Sequence, residues 1–175
     1  MMAPLVFLLG NSMAIGIDEF LFPGNDALGF SGATATQVAE KVKSGELPPL
    51  DDFDKIVLLM GTNEVLQGLS VSAIMKGLKS LKSLLSSRLP RKVQITVAEV
   101  PPIPCRPDLD DLIQRVNKRI KKDFSSSARI HKYFAGIYTR HLYGKKRLHF
   151  SQHGKKLLAA YLEGEFSDLP EEPSV

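Results

Sequence analysis

The sequence predicts an α/β fold: a three-layer α/β/α sandwich around a parallel sheet of about five strands. Three observations carry that prediction. Short continuous apolar runs, Leu5-Val-Phe-Leu-Leu9 and Lys55-Ile-Val-Leu-Leu-Met60, read as strands buried on both faces. Longer segments between such runs place apolar residues at helical spacing. Polar clusters follow the strand ends, Gly10-Asn11-Ser12 and Gly61-Thr62-Asn63-Glu64, at the sheet edge where open α/β folds bind ligands.

The elements follow in chain order. The first strand stops at Gly10, where a Cβ would hinder the turn, and Ser12 lies just beyond it. An irregular stretch with a turn at Pro23-Gly24-Asn25 leads to a short strand near Leu28. Gly29 to Thr34 then opens a helix over 34–43, with Thr34 or Ser31 as its cap and Gly45 and Pro48-Pro49 ending it. After the 55–60 strand, Ser70 or Ser72 starts a helix to Leu89. Ile74, Leu78, Leu81 and Leu85 share one of its faces, and Pro90 stops it. Val93 to Ala98 is the next strand. A proline-rich loop (Pro101, Pro102, Pro104, Pro107) precedes a helix over 108–124. Its acidic start, Asp108, Asp110 and Asp111, suits the positive end of the helix dipole. Leu109, Leu112, Ile113, Val116 and Ile120 face inward, and Arg115, Lys118, Arg119 and Lys122 form an outward basic stripe. Ala128 to Phe134 reads as a last strand, and Ser151 to Leu162 as the final helix.

The 175 residues, 43% of them apolar, suit one domain, assigned to residues 1–165. Residues 166–175 form an acidic, Pro-containing tail expected to be disordered. The segment from Glu163 onward holds five acids and no base, which leaves 23 bases against 14 acids, a net +9, on the body. That excess favours an anionic partner, RNA or acidic lipid head groups, although a basic surface also serves solubility. No apolar run approaches a membrane span, and no basic n-region precedes the opening run. The single Cys105 forms no disulfide within the chain. A cytoplasmic, reducing setting is therefore expected.

A lone Ser after a strand is most often a turn residue bonded to its own backbone. The rest of the chain changes the weighing. Gly10-Asn11-Ser12 resembles the Gly-Asp-Ser block of the SGNH, or GDSL-like, hydrolases. Phe30-Ser31-Gly32-Ala33 resembles their second block, and Gly61-Thr62-Asn63-Glu64 their Gly-x-Asn-Asp third block. Leu148-His149-Phe150-Ser151-Gln152-His153-Gly154 resembles the last block, where a His precedes a helix. The four blocks come in family order and span about residues 5 to 162. The last block also resembles that of esterase domains in the first open reading frame of some retrotransposons.

The resemblance implies the SGNH-hydrolase-like, flavodoxin-like form of the sandwich, and it implies roles. Ser12 is the nucleophile and His149 its base. The Ser12 and Gly32 backbone N–H groups and the Asn63 amide form an oxyanion hole. Gly32 leaves room for substrate, and Asn63 donates without ionising. Departures accompany the match. Asn11 replaces the Asp before Ser, and Glu64 the Asp after Asn63. Lys146, followed by Arg147, stands where the family places Asp three residues before the His. Losing that carboxylate from a full triad costs about 10⁴ in rate. A backbone carbonyl is expected to orient His149 instead, with Lys146 turned to solvent.

Two readings follow. The preferred one is a serine esterase for short, acetyl-like acyl groups, working through a Ser12–His149 dyad. The alternative is a non-catalytic SGNH-like domain that binds RNA or another polyanion, similar in kind to the hydrolase-like RNA-binding domain of Oskar. The alternative draws on two basic groups. One is the loop Arg140, Lys145, Lys146 and Arg147, which borders His149. The other is the helical stripe Arg115, Lys118, Arg119 and Lys122, which lacks the interleaved aromatics that stack bases. His131, His141 and His153 show no metal-ligand spacing, so neither metal nor cofactor is expected.

Overall fold

The computed structural model describes residues 3–135, 142–146 and 148–164. Five parallel strands form one sheet in the order β2-β1-β3-β4-β5. They are β1 (Val6–Gly10), β2 (Asp26–Gly29), β3 (Lys55–Leu59), β4 (Gln94–Ala98) and β5 (Ser127–Ala128). The helices are α1 (Ala35–Lys43), α2 (Thr62–Leu66), α3 (Val71–Arg88), α4 (Asp110–Asp123), α5 (Ile130–Phe134) and α6 (Gln152–Leu162). The three-layer α/β/α sandwich is therefore as the sequence predicts.

The apolar runs are continuous because both faces of the central strands are covered. Phe7, Leu9, Ile56, Leu58 and Val97 pack under α1, α3 and α4. Their neighbours Val6, Leu8, Val57, Leu59 and Ala98 point the other way, against the segment after β1, α5 and α6. Alternate side chains of one strand thus enter separate cores. Thr34 caps α1 in a reciprocal box with Gln37, and Ser70 caps α3.

Three local differences from the sequence reading have physical causes. Ala128 to Phe134 is not a strand. Pairing with β4 ends at Ala128, and Ile130 and Phe134, both fully buried, meet the core from one face of a short helix. Their i, i+4 spacing is helical, although Ile, Tyr and Phe favour strands by type. The chain after β1 also forms two 3-10 turns, Ser12–Ala14 and Ile17–Phe20. Gly61 to Glu64, read from the sequence only as a polar cluster after a strand, runs on into α2. The acidic tail beyond Gly164 lies outside the described residues.

Candidate active site

Ser12 sits at the C-terminal end of β1 because Gly10 lets the chain turn against β3. A Cβ on Gly10 would lie 2.5 Å from the Leu59 carbonyl oxygen. The following turn is held by Asn11, which is 1% exposed and whose Oδ1 accepts from the Met13 N–H at 2.9 Å. An Asn in place of Asp keeps this acceptor. Its Nδ2 is buried without a hydrogen-bond partner among the described residues.

The Gly32 loop docks on the same turn. The Phe30 N–H donates to the Gly10 carbonyl at 2.9 Å, and a Cβ on Gly29 would lie 2.5 Å from the Asn11 carbonyl oxygen. The sequence reading assigned Gly32 to substrate clearance. The structure gives a second reason: its φ is +69°, a left-handed conformation, while the space where a Cβ would project is empty of protein atoms to 4 Å. The α2 turn grips this loop from the other side with two consecutive residues. Asn63 Nδ2 donates to the Ala33 carbonyl at 3.0 Å, and Glu64 Oε2 accepts from the Ala35 N–H at 3.1 Å. An amide carries two N–H groups, so one remains for a ligand. Burial raises the Glu64 carboxyl above its ordinary pKa, opposed by the Ala35 N–H.

His149 arrives on a hairpin-like loop. Tyr143 bridges Phe150 in antiparallel fashion, and the Gly144 N–H donates to the His149 carbonyl at 2.8 Å. Phe150 lies tilted over the Phe134 ring and Tyr143 meets that ring edge-on, and the buried Tyr143 hydroxyl donates to the Pro102 carbonyl at 2.6 Å. The Ser-x-x-Gly that follows His149 is a helix start. Ser151 Oγ accepts from the Gly154 N–H at 3.1 Å, and Gly154 has no Cβ because the Leu142 carbonyl occupies that space.

These parts bring His149 Nε2 to 3.2 Å from Ser12 Oγ. Ser12 is half-buried and His149 exposed. Among the described residues, neither the Ser12 nor the Gly32 backbone N–H donates to a protein acceptor. No described carbonyl or carboxylate hydrogen-bonds His149 Nδ1, so the expected carbonyl partner is not found there. Lys146 is exposed on the turn before His149.

The basic groups divide. Arg115 pairs with Asp111 at 3.1 Å, and Arg119 with Asp123 at 2.9 Å, where Lys79 also binds. Lys118 and Lys122 are exposed, as are Lys145 and Lys146. Arg140, Arg147 and His141 lie outside the described residues. Among the described residues no cluster of His, Cys, Asp or Glu is arranged to hold a metal ion, and no helix is long and apolar enough to cross a membrane. Sequence reasoning missed the grip of Glu64 on α1 and the Tyr143 anchor. Glu64 had a signal, an acid inside a polar block; Tyr143 had none.

No family model matches the sequence, and no curated protein matches it. Solved structures match its fold. A lipolytic protein of the G-D-S-L family from Veillonella parvula superposes with TM-score 0.73 at 18% identity, covering 94% of this chain and 98% of that one. A lipase/acylhydrolase from Enterococcus faecalis gives TM-score 0.70 at 17% identity, over 92% and 94% of the two chains. An acetylxylan esterase from Geobacillus stearothermophilus, in a catalytic mutant, gives 0.60 at 16% identity over 92% and 94%. The chain thus has the SGNH/GDSL-like hydrolase fold.

Proposed function

We propose that this protein is a serine esterase for short acyl esters. The observation that carries the reading is the 3.2 Å approach of His149 Nε2 to Ser12 Oγ, which is at the reach of a general base. Ser12 Oγ attacks the ester carbonyl while His149 takes its proton. The tetrahedral oxyanion sits among the unused Ser12 and Gly32 N–H groups and the second Asn63 N–H. His149 returns the proton to the departing alcohol, leaving an acyl group on Ser12. A water activated by His149 then releases the acid. With no carboxylate at position 146 the imidazolium is less well stabilised, so turnover is slow.

The esterase and lipase names of the structural neighbours support the reaction class. The acetylxylan esterase among the structural neighbours supports an acetyl-sized acyl group. The test is hydrolysis of p-nitrophenyl acetate by the wild type and by Ser12→Ala. Serine-dependent turnover is the expected result. Turnover equal in the two proteins would remove the proposal.

A further inference from the structure

A second concave site lies at the far edge of the sheet, where β5 is only two residues long. A gap lies there between α4 and α5. The gap is an open cavity of about 450 Å³ lined by Glu99, Gln114, Lys121, Arg129, His131, Lys132 and Ala135. Its volume falls in the usual range for small-molecule sites. None of Ser12, Gly32, Asn63 or His149 lines it.

Its charge pattern is specific. Lys121 and Arg129 lie near enough to Glu99 to act on its carboxyl, and Lys132 lines the same cavity. Among the described residues none of the three forms a salt bridge, unlike Arg115 and Arg119 on the neighbouring helix face. Glu99 Oε1 is buried without a hydrogen-bond partner among the described residues. Burial raises the Glu99 carboxyl, with the His131 N–H, Arg129 and Lys121 pulling the other way. Burial also lowers the His131 imidazole, which favours its neutral form as a donor and acceptor rather than a fourth cation. The lining's three cations outnumber its one carboxyl, while Asp110 acts on His131 from outside it. A net positive lining suits a phosphomonoester, which carries about −1.5 to −2 at neutral pH. The Glu99 oxygen is unpartnered among the described residues, and Gln114 Nε2 and His131 Nε2, 3.5 Å apart, would turn from each other to bond hydroxyl groups of the ester's organic part.

We propose that this cavity, walled by Lys121, Arg129 and Lys132 over the Glu99 carboxyl, binds a small molecule through a phosphomonoester group. The site is independent of the esterase chemistry. Lys121, Arg129 and Lys132 are themselves exposed, so the binding should weaken as salt screens their charges.

Calorimetric titration of the full chain at low salt tests it, with inorganic phosphate, ribose 5-phosphate, ribose, and a single-stranded oligoribonucleotide lacking terminal phosphates as probes. The two phosphates should bind saturably, and ribose should not. Tighter binding of ribose 5-phosphate than of free phosphate assigns the organic part to Gln114 and His131; equal affinity assigns recognition to the phosphoryl group alone. Arg129→Gln and Lys121→Gln should each weaken binding about tenfold, the worth of one charged hydrogen bond. Glu99→Gln should tighten it by removing a like charge, and Ser12→Ala should bind as the wild type does. These variants change exposed or half-buried side chains, and unchanged melting temperatures check their folding. No saturable phosphate binding, binding unaffected by either cation variant, weaker binding by Glu99→Gln, or binding of the oligoribonucleotide alone would each overturn the assignment.

Discussion

Glu64 Oε2 accepts a hydrogen bond from the Ala35 N–H at 3.1 Å, while the side chain next to it, Asn63, donates to the Ala33 carbonyl at 3.0 Å. One turn after β3 thereby fixes both sides of the loop that carries Gly32. The fixing is done by a carboxyl that is 3% exposed, with Oε1 unpartnered among the described residues. An unsatisfied buried acceptor is costly, more so when charged.

A pH dependence of stability follows. Burial raises the folded-state pKa of Glu64 above its unfolded value, so the folded state holds the proton more tightly. The contribution is fully present below the unfolded pKa and is lost as pH rises through the folded one. Glu64→Gln keeps an acceptor for the Ala35 N–H and removes that loss. Its melting temperature relative to the wild type should therefore rise between pH 4 and pH 8. A difference that stays flat across that range would show that Glu64 does not titrate with folding.

Replacing Asn63 by Ala removes the bond to Ala33 and the proposed oxyanion donor together. Esterase kcat should fall about 10²–10³-fold, the usual cost of one such donor. Asn63→Asp supplies an acceptor where a donor is needed and should be no better. Initial rates on p-nitrophenyl acetate, with circular dichroism to check the fold, decide this; full activity in either variant would assign Asn63 to turn geometry alone.

Ser12→Ala and His149→Ala should each lower kcat by about 10³-fold or more, and the double variant should lose little beyond either, because the two act as a unit. Additive losses would mean that the 3.2 Å pair does not share one step.

Lys146→Asp restores a carboxylate three residues before His149. With no described partner on Nδ1, the new carboxylate should raise kcat, by about tenfold or more if it reaches the ring. A rate at or below the wild-type value would show that the exposed turn at Lys146 cannot deliver it.

Gly154→Ala drives a methyl group into the Leu142 carbonyl. Overpacking of this kind costs about 1–3 kcal/mol, and the strain falls on the hairpin that carries His149. Urea unfolding should show the loss of stability, and esterase activity should fall with it. A stable and fully active variant would mean that the hairpin moves aside freely.

The sequence by itself determined the sandwich, the parallel sheet and the polar clusters at the strand ends. Val6–Leu9 and Ile56–Leu59 are apolar at every position because two cores claim alternate side chains, and such a run is legible without neighbours. Ser12, Gly32, Asn63 and His149 were legible as short local blocks. Only the tertiary structure decided what depends on residues far apart in the chain. Ile130 and Phe134 became helical because packing against α6 and β1 outweighed β-propensity. Arg115 and Arg119 found acids on α4 itself, which spacing allowed but did not select. Lys121, Arg129 and Lys132 share no motif with Glu99. They line one cavity because the end of β4, α4 and α5 meet at one sheet edge, and electrostatic fit depends on distance through space rather than along the chain.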